Sequence, residues 1–289
     1  MSFGNTVRRI ATGAVLATLA LTFAACGGSS SESGGQAAPS TSAAGGTVQT
    51  ITPGTLTVAT MSDAKPNAYI DKGEFKGFDL DLTRKIGEKM GLKVEFAAID
   101  FPALFPSVAA GRYDMAAAST AGTVERQKIV DFSAGYLGGY LGVLTRKDTG
   151  ITEDLASTAG KRLGLLQGSI QEAYAKRFMP DATLVMFPDN NAGVSAMQNG
   201  RVDGYFLDYV VGTDYIKQHS ELVQPIAVPA FDQPAAFPIK KGNEALKTEV
   251  DRALGELVED GTWMKLYLQY FPEAPKPKDL PPYELPKAP

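Results

Sequence analysis

From residue 55 onward the hydrophobic pattern switches repeatedly between the two-residue period of a strand and the 3.6-residue period of a helix, and after Asp148 the cycle runs again. Thr55 to Ala59 alternates polar and apolar residues as a half-buried strand does. Phe78-Asp79 then opens a helix with Leu82, Ile86 and Met90 on one face, and Gly91 stops it. Val94 and Phe96 restart a strand, a helix follows through Leu104, Phe105 and Val108 to Gly111, and a strand runs from Tyr113 to Ala117. The second cycle predicts strands over 162–166, 183–186 and 204–207, with helices over 169–178, up to Asn199, and over 209–218. Such alternation requires a mainly parallel sheet flanked by helices, and two cycles predict two similar α/β lobes.

An internal echo points to a site. The segment from Ser107 through Gly111-Arg112-Tyr113-Asp114 recurs from Ser195 through Gly200-Arg201-Val202-Asp203, each a helix end, a glycine stop and the start of an apolar strand. By itself Gly-Arg-x-Asp is a favoured helix-to-strand turn. The matching offset is the second clue: five residues beyond each Asp stand Ser119 and Asp208. The first strand of each lobe also runs into polar residues, Ser62-Asp63 in one and Gln167-Gly168-Ser169 in the other. In open α/β sheets ligands bind beyond the carboxyl ends of strands, so these four loops are where a site belongs.

The chain ends say where the protein works. Arg8 and Arg9 precede an apolar run from Ile10 to Ala25, roughly 16 residues and shorter than the ~20 a spanning helix needs. It reads as a cleaved leader over 1–25. Val7-Arg8-Arg9-Ile10 lacks the rest of a twin-arginine signal, so general secretion is expected. Leu21-Thr22-Phe23-Ala24-Ala25-Cys26-Gly27 resembles a bacterial lipobox, in which Cys26, the only cysteine, would be lipidated and anchor the protein to the cell membrane. Residues 26–52 are rich in Gly, Ser, Ala and Thr and cannot bury enough surface to fold, so they form a tether of about 25 to 30 Å mean reach. Residues 272–289, rich in Pro and Lys, read as an extended tail.

The net charge of −4, with no basic cluster, argues against a nucleic-acid partner. One His and one Cys cannot build a metal site, and no cofactor motif is present. Ser62-Asp63-Ala64-Lys65 matches Ser-x-x-Lys formally, but it follows a strand and lacks the partner motifs of that chemistry.

Gly77-Phe78-Asp79-Leu80-Asp81-Leu82, the run from Ala118 to Arg126, and Val130-Asp131-Phe132-Ser133 resemble, in that order, the polar amino-acid-binding proteins of ABC importers, solute-binding family 3. Gly164-Leu165-Leu166-Gln167-Gly168-Ser169, Gly200-Arg201-Val202-Asp203 with Asp208, and Asp260-Gly261-Thr262-Trp263 continue the resemblance over roughly residues 54–271. It implies a two-lobed periplasmic-binding-protein-like α/β fold of type II, hinged by two crossing segments near 140–145 and 231–237. Lobe 1 would comprise 53–143 with 235–271, and lobe 2 would comprise 144–234. The implied protein is a monomer that binds an amino acid or similar zwitterion, is not an enzyme, and delivers its ligand to an ABC permease.

The same resemblance places a carboxylate-binding guanidinium at Arg126, completed by backbone N–H groups near Ala121 and at Ser169 and Ile170, and an ammonium partner at Asp208. Ser119 would add a hydroxyl. Read alone, Arg126 is by default a surface helix residue paired with Asp131 or Glu125, and Asp208 is the N-cap of the following helix, a role compatible with ligand contact. Two departures bear on the ligand. Ala121 replaces the family's usual Ser or Thr, and the loop Asp63-Ala64-Lys65-Pro66-Asn67-Ala68-Tyr69 departs from the family pattern. Asp63 would suit a basic or amide side chain and Lys65 an acidic one, while Tyr69 and Phe101 are either aromatic walls or core. Two other functions share such a fold: a dehydratase acting on prephenate or arogenate, and a sensor module. Catalysis would need an acid or base in the cleft, and the lone His219 lies between a helix end and the next strand.

Overall fold

The computed structural model describes residues 48–230 and 232–287; the expected leader, Cys26, the tether as far as residue 47, and Phe231 lie outside the described residues. In chain order the elements are β1 (Thr55–Thr60), β2 (Asp63–Ala64), β3 (Ala68–Asp71), β4 (Glu74–Lys76), α1 (Phe78–Met90), β5 (Lys93–Ala98), α2 (Leu104–Ala109), β6 (Met115–Ala117), α3 (Val124–Gln127) and β7 (Asp131–Phe132). Then come β8 (Tyr140–Arg146), β9 (Arg162–Leu166), α4 (Ile170–Phe178), β10 (Thr183–Phe187), α5 (Asn190–Gln198), β11 (Gly204–Asp208), α6 (Tyr209–Gln218), β12 (Leu222–Pro229), β13 (Pro238–Ile239), α7 (Glu244–Glu259) and α8 (Thr262–Tyr270).

These strands form two five-stranded sheets, ordered β5-β1-β6-β13-β7 and β10-β9-β11-β8-β12, while β2, β3 and β4 form a small antiparallel sheet. In each large sheet the first strand of its cycle, β1 or β9, sits between two parallel neighbours. The repeated motif explains the likeness. Gly111 and Gly200 both take positive φ, which lets the chain turn sharply from helix to strand. Asp114 then accepts from Thr57 N at 2.7 Å, and Asp203 accepts from Arg162 N at 2.8 Å. Each aspartate thus ties the start of one strand to the start of its parallel neighbour, a structural role for both copies.

Local chemistry sets the element ends. Asp79 and Asp81 place negative charge in the first turn of α1, and Gly91 ends that helix in the left-handed conformation. Ser169, Asp189 and Asn243 cap α4, α5 and α7 with side-chain oxygens. One core holds Leu56, Val58, Phe78, Leu82, Ile86, Leu254 and Trp263 beneath α1, α7 and α8, and another holds Val143, Leu163, Leu165 and Phe206 in the second sheet. A third contains Met61, Phe101 and Phe105 together with Val194, Leu207 and Val211, residues associated with both sheets.

The chain passes between the sheets twice, over 133–139 and 230–237. The sequence reading put the first passage at 140–145, but those residues lie within β8, between β11 and β12. Leu141, Val143, Leu144 and Thr145 are buried there, so the apolar run is strand interior and a lobe boundary at 143–144 would cut a strand. The two passages pair with each other: Tyr136 N donates to Ala235 O and Ala235 N to Leu137 O, both at 2.7 Å. Tyr136 stacks on Phe237 at 4.2 Å, and Trp263 Nε1 donates to Tyr136 O at 3.0 Å.

Residues 272–287 are a strap and not a loose tail. Tyr283 exchanges two backbone hydrogen bonds with Gly135 in the first passage, at 2.8 and 2.9 Å. Gln127 Nε2 donates to Pro286 O at 2.8 Å, and Leu285 packs against the core shared by the two sheets.

Candidate functional site

Between the sheets lies a narrow cavity of about 40 Å³. Phe101, Ser119, Ala121, Arg126, Ser169, Ile170 and Asp208 line it. Asp63 and Tyr69, also expected there, do not.

Arg126 is carried by α3, whose N-cap Thr123 accepts from Arg126 N. The side chain is only 9 % exposed, so it is not the surface residue that an isolated reading allows. Its guanidinium lies 4.5 Å from the Phe105 ring centroid and 5.7 Å from that of Phe101, which fixes its plane. Nη1 donates to Ala121 O and Nη2 to Gly168 O, both at 2.9 Å, the second reaching the loop between β9 and α4. No carboxylate stands within ion-pair distance of it among the described residues. Burial lowers its pKa to about 10, and nearby Asp208 opposes that shift, so it remains a cation at neutral pH.

Asp208 ends β11 and occupies the N-cap position of α6, yet its side chain makes no cap hydrogen bond. The carboxylate instead accepts from Gln171 Nε2 at 2.8 Å. Burial raises its pKa to about 6, against the pull of the Gln171 hydrogen bond and the Arg126 charge. The cavity thus has a cation from one side and an anion from the other.

Ser119 has φ +47, a conformation rare for a non-glycine residue, and Asp79 holds it there. Ser119 N and Oγ both donate to Asp79 Oδ2, at 2.6 and 2.8 Å. With its proton given to Asp79, the Ser119 hydroxyl faces the cavity as an acceptor. Burial raises the pKa of Asp79 to about 7, and the Ser119 hydrogen bonds resist that shift. Across the cavity, Ser169 Oγ accepts from Glu172 N at 3.2 Å while Glu172 Oε2 accepts from Gly168 N at 2.7 Å, a reciprocal cap that fixes the start of α4.

Asp63 and Tyr69 are withdrawn from the cavity because their loop folds as β2 and β3, in which they pair with each other. Asp63 accepts from Asn191 N at 3.0 Å, at the N-terminus of α5, and burial raises its pKa. Beside it Lys65 forms an ion pair with Asp214 of α6 at 3.0 Å and lies over the Tyr69 ring. Asp63 and Lys65 therefore join the two sides of the cleft to each other. His219 caps α6 with its side chain near Glu221 and does not line the cavity.

Met61, Ala64, Gln171 and Asn190 line the cavity without having been singled out from sequence. The available signal was positional: Gln171 lies in the first turn after the Ser169 cap, and Asn190 follows the Asp189 cap. Asp79 could have been found as an acid on the otherwise apolar inner face of α1.

Residues 56–273 match the profile of the bacterial extracellular solute-binding proteins, family 3. The chain is 31% identical over 229 residues to the lysine/arginine/ornithine-binding periplasmic protein of Escherichia coli (strain K12), covering 76% of this chain and 88% of that one. In structure it resembles an ancestral arginine-binding protein bound to glutamine, with a TM-score of 0.73 and 30% identity over 77% of this chain and 100% of the other. It also resembles the ancestral amino acid-binding protein AncCDT-1, a precursor of cyclohexadienyl dehydratase, with a TM-score of 0.68 and 31% identity over 75% and 95% of the two chains.

Proposed function

The chain belongs to the bacterial extracellular solute-binding proteins, family 3, and on that footing we propose that it captures a free α-amino acid between its lobes and presents it to an ABC permease. The observation that carries this reading is the opposed pair of charges, buried Arg126 and partly buried Asp208, lining one cavity from opposite sides. An α-amino acid is the complementary object. Its carboxylate would take the guanidinium fork, displacing the Gly168 carbonyl, with the N–H groups at Ala121 and Ile170 completing the site, since the Ser169 N–H already donates to Leu166 O. Its ammonium would take Asp208, with the Ser119 oxygen as a second acceptor.

Closure follows from the same contacts. A ligand that touches both lobes binds the closed form better than the open one, which is the differential affinity a hinge requires. The two paired passages over 133–139 and 230–237 are the natural hinge between a lobe built on the first sheet and one built on the second. Asp63 and Lys65 are then closure contacts at the cleft's edge, and Phe101 stiffens Arg126.

The dehydratase reading draws on the likeness to AncCDT-1. Against it, the ionised cavity groups, Arg126 and Asp208, are both committed to the zwitterion, and the histidine lies elsewhere. We read the protein as binding its ligand unchanged. Upstream, the lipobox-like run ending at Cys26 supports secretion and acylation, which would tether a monomeric receptor to the membrane. Cys26→Ala would then release the protein from the membrane fraction.

The experiment for the main reading is a thermal-shift screen of the full-length chain against the common amino acids and prephenate, followed by calorimetry and product analysis. A stabilising amino acid recovered intact supports it. Conversion of prephenate would overturn it.

A further inference from the structure

We propose that the ligand's side chain carries no charge, an inference that rests on the amino-acid reading above and narrows it. Arg126 and Asp208 are the ionised groups of the cavity lining. The α-carboxylate and α-ammonium of an amino acid use both. The rest of the wall is apolar or uncharged, with Met61, Ala64, Phe101 and Val211 on it and the Asn190 amide among its polar groups.

Other carboxylates come near without lining the cavity, among them Asp79, whose Oδ1 is buried with no hydrogen-bond partner. Asp79 is wholly buried behind Ser119, and its Oδ2 is taken by that residue's N–H and hydroxyl. Asp63, Asp100 and Asp189 line an adjoining recess that shares Met61 and Phe101, 4 % and 7 % exposed, with the cavity as their common partition. In that recess Asp63 accepts from Asn191 N, Asp189 caps α5 through Ala192 N at 2.7 Å, and Asp100 is exposed. The nearest lysine, Lys65, is paired outside with Asp214. A guanidinium, ammonium or second carboxylate on the ligand would therefore be buried with no opposite charge, a heavily penalised arrangement.

Asn190 supplies a neutral handle. Its Oδ1 accepts from Tyr205 Oη at 3.1 Å, whereas its Nδ2 has only long contacts of 3.4 and 3.5 Å to Asp63. That amide nitrogen can turn to the carbonyl of a ligand amide, and Met61 and Val211 suit an aliphatic or thioether chain.

The test is calorimetric titration of the full-length chain with glutamine, methionine and leucine against arginine, lysine, glutamate and aspartate. At least one neutral amino acid is expected to bind about 100-fold tighter than any charged one. Met61→Asp, which sets a carboxylate in the partition, is expected to shift the preference toward arginine or lysine. Tightest binding of a charged amino acid to the unaltered chain would overturn the proposal while leaving the amino-acid reading intact. If arginine is that ligand and Asp63→Asn abolishes its binding, its guanidinium occupies the acidic recess. Absence of binding by every amino acid would contradict the amino-acid reading and this proposal together.

Discussion

At position 126 a guanidinium has lost most of its water and gained two backbone carbonyls and two aromatic faces. That setting suits a planar fork and not a point charge, so Arg126→Lys should bind ligand almost as poorly as Arg126→Ala. Losing one member of a buried charge pair costs about 3 to 5 kcal/mol, so both variants should weaken binding at least 100-fold in calorimetry. Asp208 gives a pH test. In the empty cleft its pKa lies at about 6, and holding an ammonium requires the ionised form. Above pH 6 affinity should be flat; below it binding must expel a proton, and affinity should fall toward about tenfold per pH unit. Asp208→Asn should bind weakly, without that decline. The sign for stability is opposite. Asp79 and Asp208 have folded-state pKa values, about 7 and about 6, raised above 3.8, so the stability their protonation lends is lost as pH rises through 6 to 7. The ligand-free protein should therefore melt at higher temperature at pH 5 than at pH 8, and ligand should narrow the gap.

Among the elements, those with strong periodicity and chemical stops were legible in the sequence: β9 and α6 have the predicted ends, and α1 runs from Phe78 to the Gly91 stop. The first passage between sheets was misplaced, because β8 pairs with strands more than fifty residues away in sequence, and no local pattern reports such partners. The same limit hid the strap and the diversion of Asp63, whose partner Asn191 is 128 residues distant. Each element-scale contact has its own prediction. Asp63→Ala removes a contact to the start of α5 and should loosen the closed form by about 1 kcal/mol, lowering affinity several-fold by the same factor for every ligand. Deleting residues 276–287 removes the Tyr283–Gly135 pairing and the Leu285 packing. It should cost about 1 to 3 kcal/mol in urea unfolding while ligand binding persists.

For the whole molecule, sequence order gave the two α/β lobes because each cycle of strand and helix supplies the parallel strands of its own sheet, and the tie made by Asp114 recurs at Asp203, while β13 returns from beyond the second cycle to the first sheet. Arg126 was legible only through the family motif, since nothing local to it says that it faces a cavity, whereas the internal echo had already placed Asp208 at a strand's carboxyl end. Ligand-driven closure should lower the radius of gyration in small-angle scattering, and the change should vanish in Arg126→Ala. The most direct test of the zwitterion clamp is calorimetric comparison of the best-binding amino acid with its α-carboxamide and its des-amino analogue on the same protein. We predict that each analogue, lacking one of the two charges, binds at least about 100-fold more weakly than the parent. Parent-like affinity for either one would contradict the assignment of Arg126 to the carboxylate or of Asp208 to the ammonium.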